Sequence, residues 1–249
     1  MQVLEFDREQ AIRHLSTIWS GYEGENWFEI RIIPLDRRQG WPIVKFFKDV
    51  EGAVEWIDEN WNKLRLYEKH VFYGVLPRCR LPKKGGRSED VKWARTFFCD
   101  LDYHKEMRLI EALIDGKVTE EDLKREREDF IVQENKVVFI DKPALEKVLR
   151  HVETKMGMKP QLVIDSGHGY HLYFILKETI DVEEWYLTQS SLINKLGGDE
   201  KTKDPARLLR VAGTWNLKYR SKPVSCRIAY IEEGEVSIDI VKEGLSKLS

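Results

Sequence analysis

From Thr96 to Asp102 the chain reads Thr-Phe-Phe-Cys-Asp-Leu-Asp, an apolar strand that ends in two carboxylates two residues apart. Positions i and i+2 of a strand point to the same face, so Asp100 and Asp102 project side by side. At the end of a buried strand each raises the pKa of the other unless a cation neutralises them. Oxygen ligands at this spacing suit Mg²⁺ or Mn²⁺. The same Asp-x-Asp pattern also arises as a solvated strand end or a turn cap, so the pair alone does not define a metal site.

The surrounding pattern predicts mixed strands and helices. Asp7 is placed to cap a helix carrying Ile12, Leu15, Ile18 and Trp19 at helical spacing, and residues 27–35 alternate as a half-buried strand. A second helix is expected over 50–64, strands over 70–76 and 93–101, two more over 162–165 and 170–176, and a helix over 182–196 that ends at Gly197-Gly198. A short helix or turn over 204–208, a strand over 224–231 and a last helix near 238–248 follow. Residues 103–160 are densely charged and read as helices over 105–114, 119–130 and 143–156. This order suggests one α+β unit with a largely antiparallel sheet flanked by helices.

Composition removes several function classes. With 249 residues and 42% hydrophobic content the chain can bury a sizeable core, and eight Trp rule out disorder. No apolar run is long enough to span a bilayer, and the first 13 residues show neither a secretory signal nor a transit peptide, so the cytosol is the expected compartment and no membrane the expected partner. Cys79, Cys99 and Cys226 are widely spaced and odd in number, which reads as buried thiols rather than a disulfide framework or a zinc site. Abundant Lys, Arg and Glu with little Gln is the balance of hyperthermophile proteins. A net charge of −2 gives no global basic field, so any nucleic-acid binding must come from local patches. One such patch is the loop over 77–90, where Arg78, Arg80, Lys83, Lys84 and Arg87 surround a Gly-Gly pair.

Two further constellations carry chemistry. Asp165-Ser166-Gly167-His168-Gly169-Tyr170-His171 is a glycine-rich turn between two strands, whose amides, Ser166 hydroxyl and His171 are suited to an anion. An ordinary glycine hairpin with a core histidine fits the same residues. The run from Asp204 to Lys218 combines a carboxylate with Arg207, Arg210, Lys218 and Asn216, as would a third metal ligand beside phosphate-binding cations, or a surface ion-pair cluster.

In this order the three constellations resemble the motifs of the archaeo-eukaryotic primase superfamily, above all its plasmid and viral primase-polymerase branch. Asp100 and Asp102 match the strand ending in Asp-x-Asp, and Ser166, Gly167, Gly169 and His171 match the Ser-Gly turn with its Gly-x-His strand. Asp204, Arg207, Arg210, Gly213, Thr214, Asn216 and Lys218 match the third stretch, which opens Asp-Pro-Ala-Arg. Residues 73–78 resemble the segment that precedes the first motif. Similarity runs from about 71 to 218, with two departures: Val211-Ala212-Gly213 stands where Pro-Gly is frequent, and the long spacing marks 103–160 as a helical insertion.

The resemblance implies a primase-polymerase catalytic core with an RRM-like half and template-dependent nucleotidyl transfer in plasmid or viral replication. It implies that Asp100, Asp102 and Asp204 hold two Mg²⁺ or Mn²⁺ ions, and that Ser166, Gly167, His168, Gly169, His171, Arg207, Arg210 and Lys218 hold the nucleoside triphosphate. Arg78, Arg80, Lys83, Lys84 and Arg87 are the candidates for template contacts. Template DNA, primer and nucleoside triphosphates are the expected partners, with unwinding left to a helicase on another chain or in a region outside this sequence, because no G-x-x-x-x-G-K-[ST] motif is present. The rival readings are a repair or CRISPR-associated polymerase of the same superfamily, a nicking replication initiator, for which His168 and His171 have the wrong spacing, and a non-catalytic DNA-binding domain, which leaves the carboxylates without purpose.

Overall fold

The computed structural model describes residues 4–36, 38, 40–124, 129–133 and 135–247. In chain order its first half comprises α1 (Arg8–Trp19), β1 (Phe28–Pro34), β2 (Ile43–Phe47), α2 (Val50–Lys63), β3 (Lys69–Gly74), β4 (Trp93–Asp102), β5 (His104–Arg108) and α3 (Leu109–Ile114). Then come β6 (Phe130–Gln133), β7 (Lys136–Ile140), α4 (Leu145–Met156), β8 (Leu162–Asp165), β9 (Gly169–Asp181), α5 (Val182–Leu196), β10 (Leu208–Arg210), β11 (Trp215–Asn216), β12 (Val224–Ser225), β13 (Arg227–Ile231) and α6 (Ile238–Ser246). Helix starts follow local chemistry: Asp7, Asp49 and Asp181 each accept a backbone N–H from the first turn of α1, α2 and α5.

Two four-stranded antiparallel sheets, ordered β10-β3-β1-β2 and β13-β8-β9-β4, share one hydrophobic core. The helices α1 and α2 bury Leu15, Ile18, Val54 and Ile57 in it, while α5 packs on β4. Tyr73 of the first sheet donates a hydrogen bond to Tyr173 of the second at 2.9 Å, so these faces meet directly.

The strand β4 lies at a sheet edge, yet all its residues from Ala94 to Leu101 are buried. An edge buried this way needs partners for its outward backbone groups. Trp185 Nε1 of α5 donates to Thr96 O at 2.9 Å, and the Gln189 side chain accepts from Phe98 N and donates to Phe98 O. The next outward group, Asp100 O, accepts from Asp199 N at 2.9 Å. The Gly197-Gly198 pair permits this approach: Gly197 ends α5 at φ +75°, and a Cβ on Gly198 would overlap Cys99 Sγ.

The segment expected to be a helical insertion is different in kind and extent. The described residues between His104 and Ile140 include a three-stranded antiparallel sheet, ordered β5-β7-β6, with the short α3 and a small core of Ala112, Val118, Phe130 and Val137. Of the helix expected over 105–114 only Leu109–Ile114 is helical, His104–Arg108 being a strand, and the β-branched and aromatic runs at Phe130–Gln133 and Lys136–Ile140 form strands between the helices expected over 119–130 and 143–156. Of the helix expected over 119–130, only a 3₁₀ turn at Asp122–Lys124 is seen, and residues 125–128 lie outside those described. Nor does α4 belong to the insertion, because Val148, Val152 and Met156 sit in the main core. The 204–208 segment is a turn, closed by Arg207 N donating to Asp204 O, that leads into β10 rather than a helix. The strand β2, which the sequence reading passes over, pairs with β1 as the edge of the first sheet.

Candidate active site

The face of β4 that carries Asp100 and Asp102 is turned towards the first sheet. In the β4–β9 ladder Asp100 stands opposite His171, and His171 Nε2 lies 3.6 Å from Asp100 Oδ1. Asp100 is 8% exposed, and its Oδ1 has no hydrogen-bond partner. Burial, reinforced by the charge of Asp102, pushes Asp100 up to about 7. Asp102 is exposed and stands 3.6 Å from His104 Nδ1.

Cations gather on the same side. Arg207 Nη2 lies 3.1 Å from Asp199 Oδ2 and 4.0 Å from Asp100 Oδ2. Arg210, on β10 with its guanidinium over the Phe72 ring, feels both Asp100 and Asp102. Neither Arg207 Nε nor Arg210 Nε has a partner. Burial, with the charges of Arg210, His14 and Arg207, holds His171 well below the usual histidine range, so it is neutral. Lys218 Nζ contacts His104 Nε2 at 2.5 Å and Glu106 Oε1 at 3.7 Å, linking β5 of the inserted sheet to the site. A carboxylate pair facing guanidinium groups across a seam is suited to a polyanion that arrives with a divalent cation.

The glycine turn does less than its composition suggests. Ser166 N donates to Gly169 O at 3.0 Å and Gly167 N donates to Asp165 Oδ1 at 2.8 Å, so neither amide is open to a phosphate. Gly169 is required for packing, because a Cβ there would overlap Leu101 O, and Gly167 adopts φ +95°. His168 is buried with its ring 4.9 Å from Tyr219, and burial lowers it to about 4. Lys142 pairs with Asp165 and braces the turn from outside.

Asp204 has partners of its own in this structure. Its Oδ1 accepts from Ser88 Oγ at 2.6 Å and from Ala206 N at 2.9 Å, which ties the 77–90 loop to the 204–207 turn. Asp199 takes the neighbouring place instead, because its own N–H satisfies the edge of β4 and its carboxylate meets Arg207. The Gly-Gly-Asp sequence reads as a loop after a helix, and the edge position of β4 brings that loop back to Asp100. Among the described residues no group of three or more His, Cys, Asp or Glu side chains is gathered closely enough to hold a metal ion.

No known family profile matches the sequence, and no curated protein matches it. Among solved structures the chain superposes on the primase-polymerase (AEP) domain of cyanophage S-2L with a TM-score of 0.61 at 15% identity, over 97% of this chain and 99% of that one. The fold is that of a primase-polymerase catalytic domain. Primase RepB′ gives a TM-score of 0.55 at 12% identity, over 95% of this chain and 61% of that one. The catalytic domain of RepB′ in complex with initiator DNA gives 0.56 at 12% identity, over 95% and 93%. At these identities the likeness is one of fold, and residue roles rest on the geometry of this chain.

Within the primase-polymerase fold the basic loop divides in two. Lys83, Lys84 and Arg87 are exposed, while Arg80 pairs with Asp90 at 2.7 Å. Arg78 has no access to DNA. It is 0% exposed, donates to Leu76 O and to Glu29 Oε2, and shares Glu29 with Arg31 and the Gly86 N–H. Gly85 and Gly86 exist for this cluster, since a Cβ on either would overlap the Arg31 or Arg78 guanidinium. Sequence reasoning gave no role here to His104, which lies beside Asp102 and Lys218, or to the buried His14, Tyr73 and Tyr173 behind His171. No helix among the described residues is long and apolar enough to cross a membrane.

Proposed function

We propose that this chain is a template-dependent DNA primase-polymerase, joining nucleotides from nucleoside triphosphates to a primer or an initiating nucleotide in plasmid or viral replication. The observation that carries the reading is Asp100: a buried carboxylate beside a second carboxylate, with an unpartnered oxygen, facing two arginines and a neutral histidine. A divalent cation fits this arrangement, since it would neutralise the repulsion and coordinate the orphaned oxygen. Mg²⁺ is ordinarily held by one or two carboxylates together with substrate phosphates, so a pair without an all-protein cage is sufficient.

Asp100 and Asp102 would hold Mg²⁺ or Mn²⁺, which in nucleotidyl transfer activates the primer 3′-hydroxyl and steadies the leaving pyrophosphate oxygen. Arg207, Arg210 and Lys218 bind and orient the triphosphate through charge-assisted contacts. His171, being neutral, donates one N–H without adding charge. Asp199 holds Arg207 at the edge of the pair, and Asp204 positions the basic loop, whose Lys83, Lys84 and Arg87 follow the template backbone. Duplex unwinding is left to another chain.

Incubation with a DNA template, labelled nucleotides and Mg²⁺ or Mn²⁺, with and without a primer, tests the proposal. Extension or primer synthesis that needs template and metal, and disappears in Asp100→Ala and Asp102→Ala, is the expected result. Product at the wild-type rate from either variant would overturn it.

A further inference from the structure

Three polar side chains near the seam between the sheets touch none of the reacting groups and have no route to water. His14 of α1, Tyr73 of β3 and Tyr173 of β9 are fully buried, and His171 beside them nearly so. Buried polar atoms of this kind need hydrogen-bond partners. Here they form a single file whose protons can each be assigned.

Ala212 N donates to His14 Nδ1 at 3.0 Å, which makes Nδ1 an acceptor. Burial lowers His14 to about 3, so it is neutral and its one ring proton is on Nε2. That N–H donates to Tyr73 Oη at 3.1 Å, and Tyr73 donates its own proton to Tyr173 Oη at 2.9 Å. Tyr173 then donates to His171 Nδ1 at 3.4 Å. With Nδ1 accepting, neutral His171 carries its proton on Nε2, the atom facing Asp100 Oδ1. The polarity starts from a backbone N–H, which can only donate, and each group has one proton to pass on.

We infer that His14, Tyr73 and Tyr173 are positioning residues that hold His171 in the tautomer presenting an N–H, and not a lone pair, to the phosphates of the nucleotide. The consequence rests on the proposed nucleotide-binding role of His171, whereas the geometry does not. A neutral imidazole offers a donor or an acceptor on a given nitrogen according to its tautomer. An anionic phosphate oxygen accepts from the first and is repelled by the second.

The test is the ring-nitrogen spectrum of His171 in ¹⁵N-labelled protein, read beside calorimetric titration with dATP and Mg²⁺. In the wild type Nε2 is protonated and Nδ1 is an accepting nitrogen. Tyr173→Phe moves both resonances towards a tautomer average and weakens dATP binding about twofold, because apparent affinity scales with the fraction of His171 in the donor tautomer. Tyr73→Phe acts in the same direction and less. Ile30→Val, at the register partner of Tyr73, lowers the melting temperature while leaving both resonances in place. A wild-type His171 protonated on Nδ1, or resonances unmoved in both tyrosine variants, would overturn the inference. If Tyr173→Phe does not fold, Tyr73→Phe and His14→Gln carry the same comparison from further away. Resonances that move as expected in a protein that binds no dATP support the relay and reject the nucleotide reading instead.

Discussion

Asp100 is held where ionisation is costly, and the sign of its effect on stability follows from that. Its folded value of about 7 lies above the ordinary 3.8, so between these values the folded state binds more protons than the unfolded one. Stability from this group therefore falls as pH rises through that window. Asp100→Asn should leave the melting temperature of metal-free protein little changed at pH 4 and raise it by several degrees at pH 8, at roughly 2–4 °C per kcal/mol for a chain of this size. Added Mg²⁺ should narrow the gap by stabilising the wild type alone. A gap that does not grow with pH would show that Asp100 is not the buried acid described. Its neighbour Asp199 gives a second expectation at this scale. Because Asp199 adjoins Asp100 and holds Arg207, Asp199→Asn should reduce primer extension at least about tenfold, the loss of one charge-assisted contact. Asp204→Asn, which keeps an acceptor for Ser88, should be milder; the reverse order in an extension assay would restore Asp204 as the site carboxylate. The strand-end pair itself was legible because period two needs no tertiary knowledge. The place of Asp199 beside Asp100 was not, since it depends on which loop satisfies the free edge of β4.

Among the elements, the capped amphipathic helices and the apolar strands were legible, because cap, periodicity and core face agree in α1, α2 and α5. The inserted region misled because β5 is a charged strand, His-Lys-Glu-Met-Arg, whose pairing with β7 comes from register rather than hydrophobic alternation. Its boundaries are now physical. Asp141 N donates to Tyr103 O at 3.0 Å, so the chain leaves and re-enters the main body at adjacent points. Replacing residues 105–139 by a short Gly/Ser turn should therefore give a cooperatively folded protein. Removing 103–160 takes Val148, Val152 and Met156 out of the main core, and at ~2–5 kcal/mol for each large side chain lost the product should not fold. Circular dichroism melts of the two deletions decide the point. Two folded products would mean that α4 is dispensable, and two unfolded ones that the inserted sheet belongs to the same folding unit.

Over the whole molecule the cations that matter are sorted by burial, not by sequence. The chain has a net charge of −2, and its basic loop contributes outward at Lys83, Lys84 and Arg87, the last 3.7 Å from the equally exposed Glu89, beyond Arg80 held by Asp90. Arg78, in the same stretch, instead joins Glu29 of β1 to the Ala206 carbonyl, and so holds the loop, the first sheet and the 204–207 turn together. The sequence could not separate these roles, because Glu29 is far upstream and buried only once the sheet forms. The two classes of basic residue should respond to different measurements. Three exposed cations meeting template phosphates predict a log–log salt dependence of DNA affinity with a slope of about −2 to −3, shallow for a DNA-binding protein. Lys83→Ala with Lys84→Ala should flatten that slope by about 1.5 without changing the melting temperature. Arg78→Ala should cost about 3–5 kcal/mol of stability by leaving Glu29 short of a buried partner, and leave the slope of the remaining folded protein unchanged. A steep wild-type slope near −6 that survives the double lysine substitution would place the template on another face of the molecule.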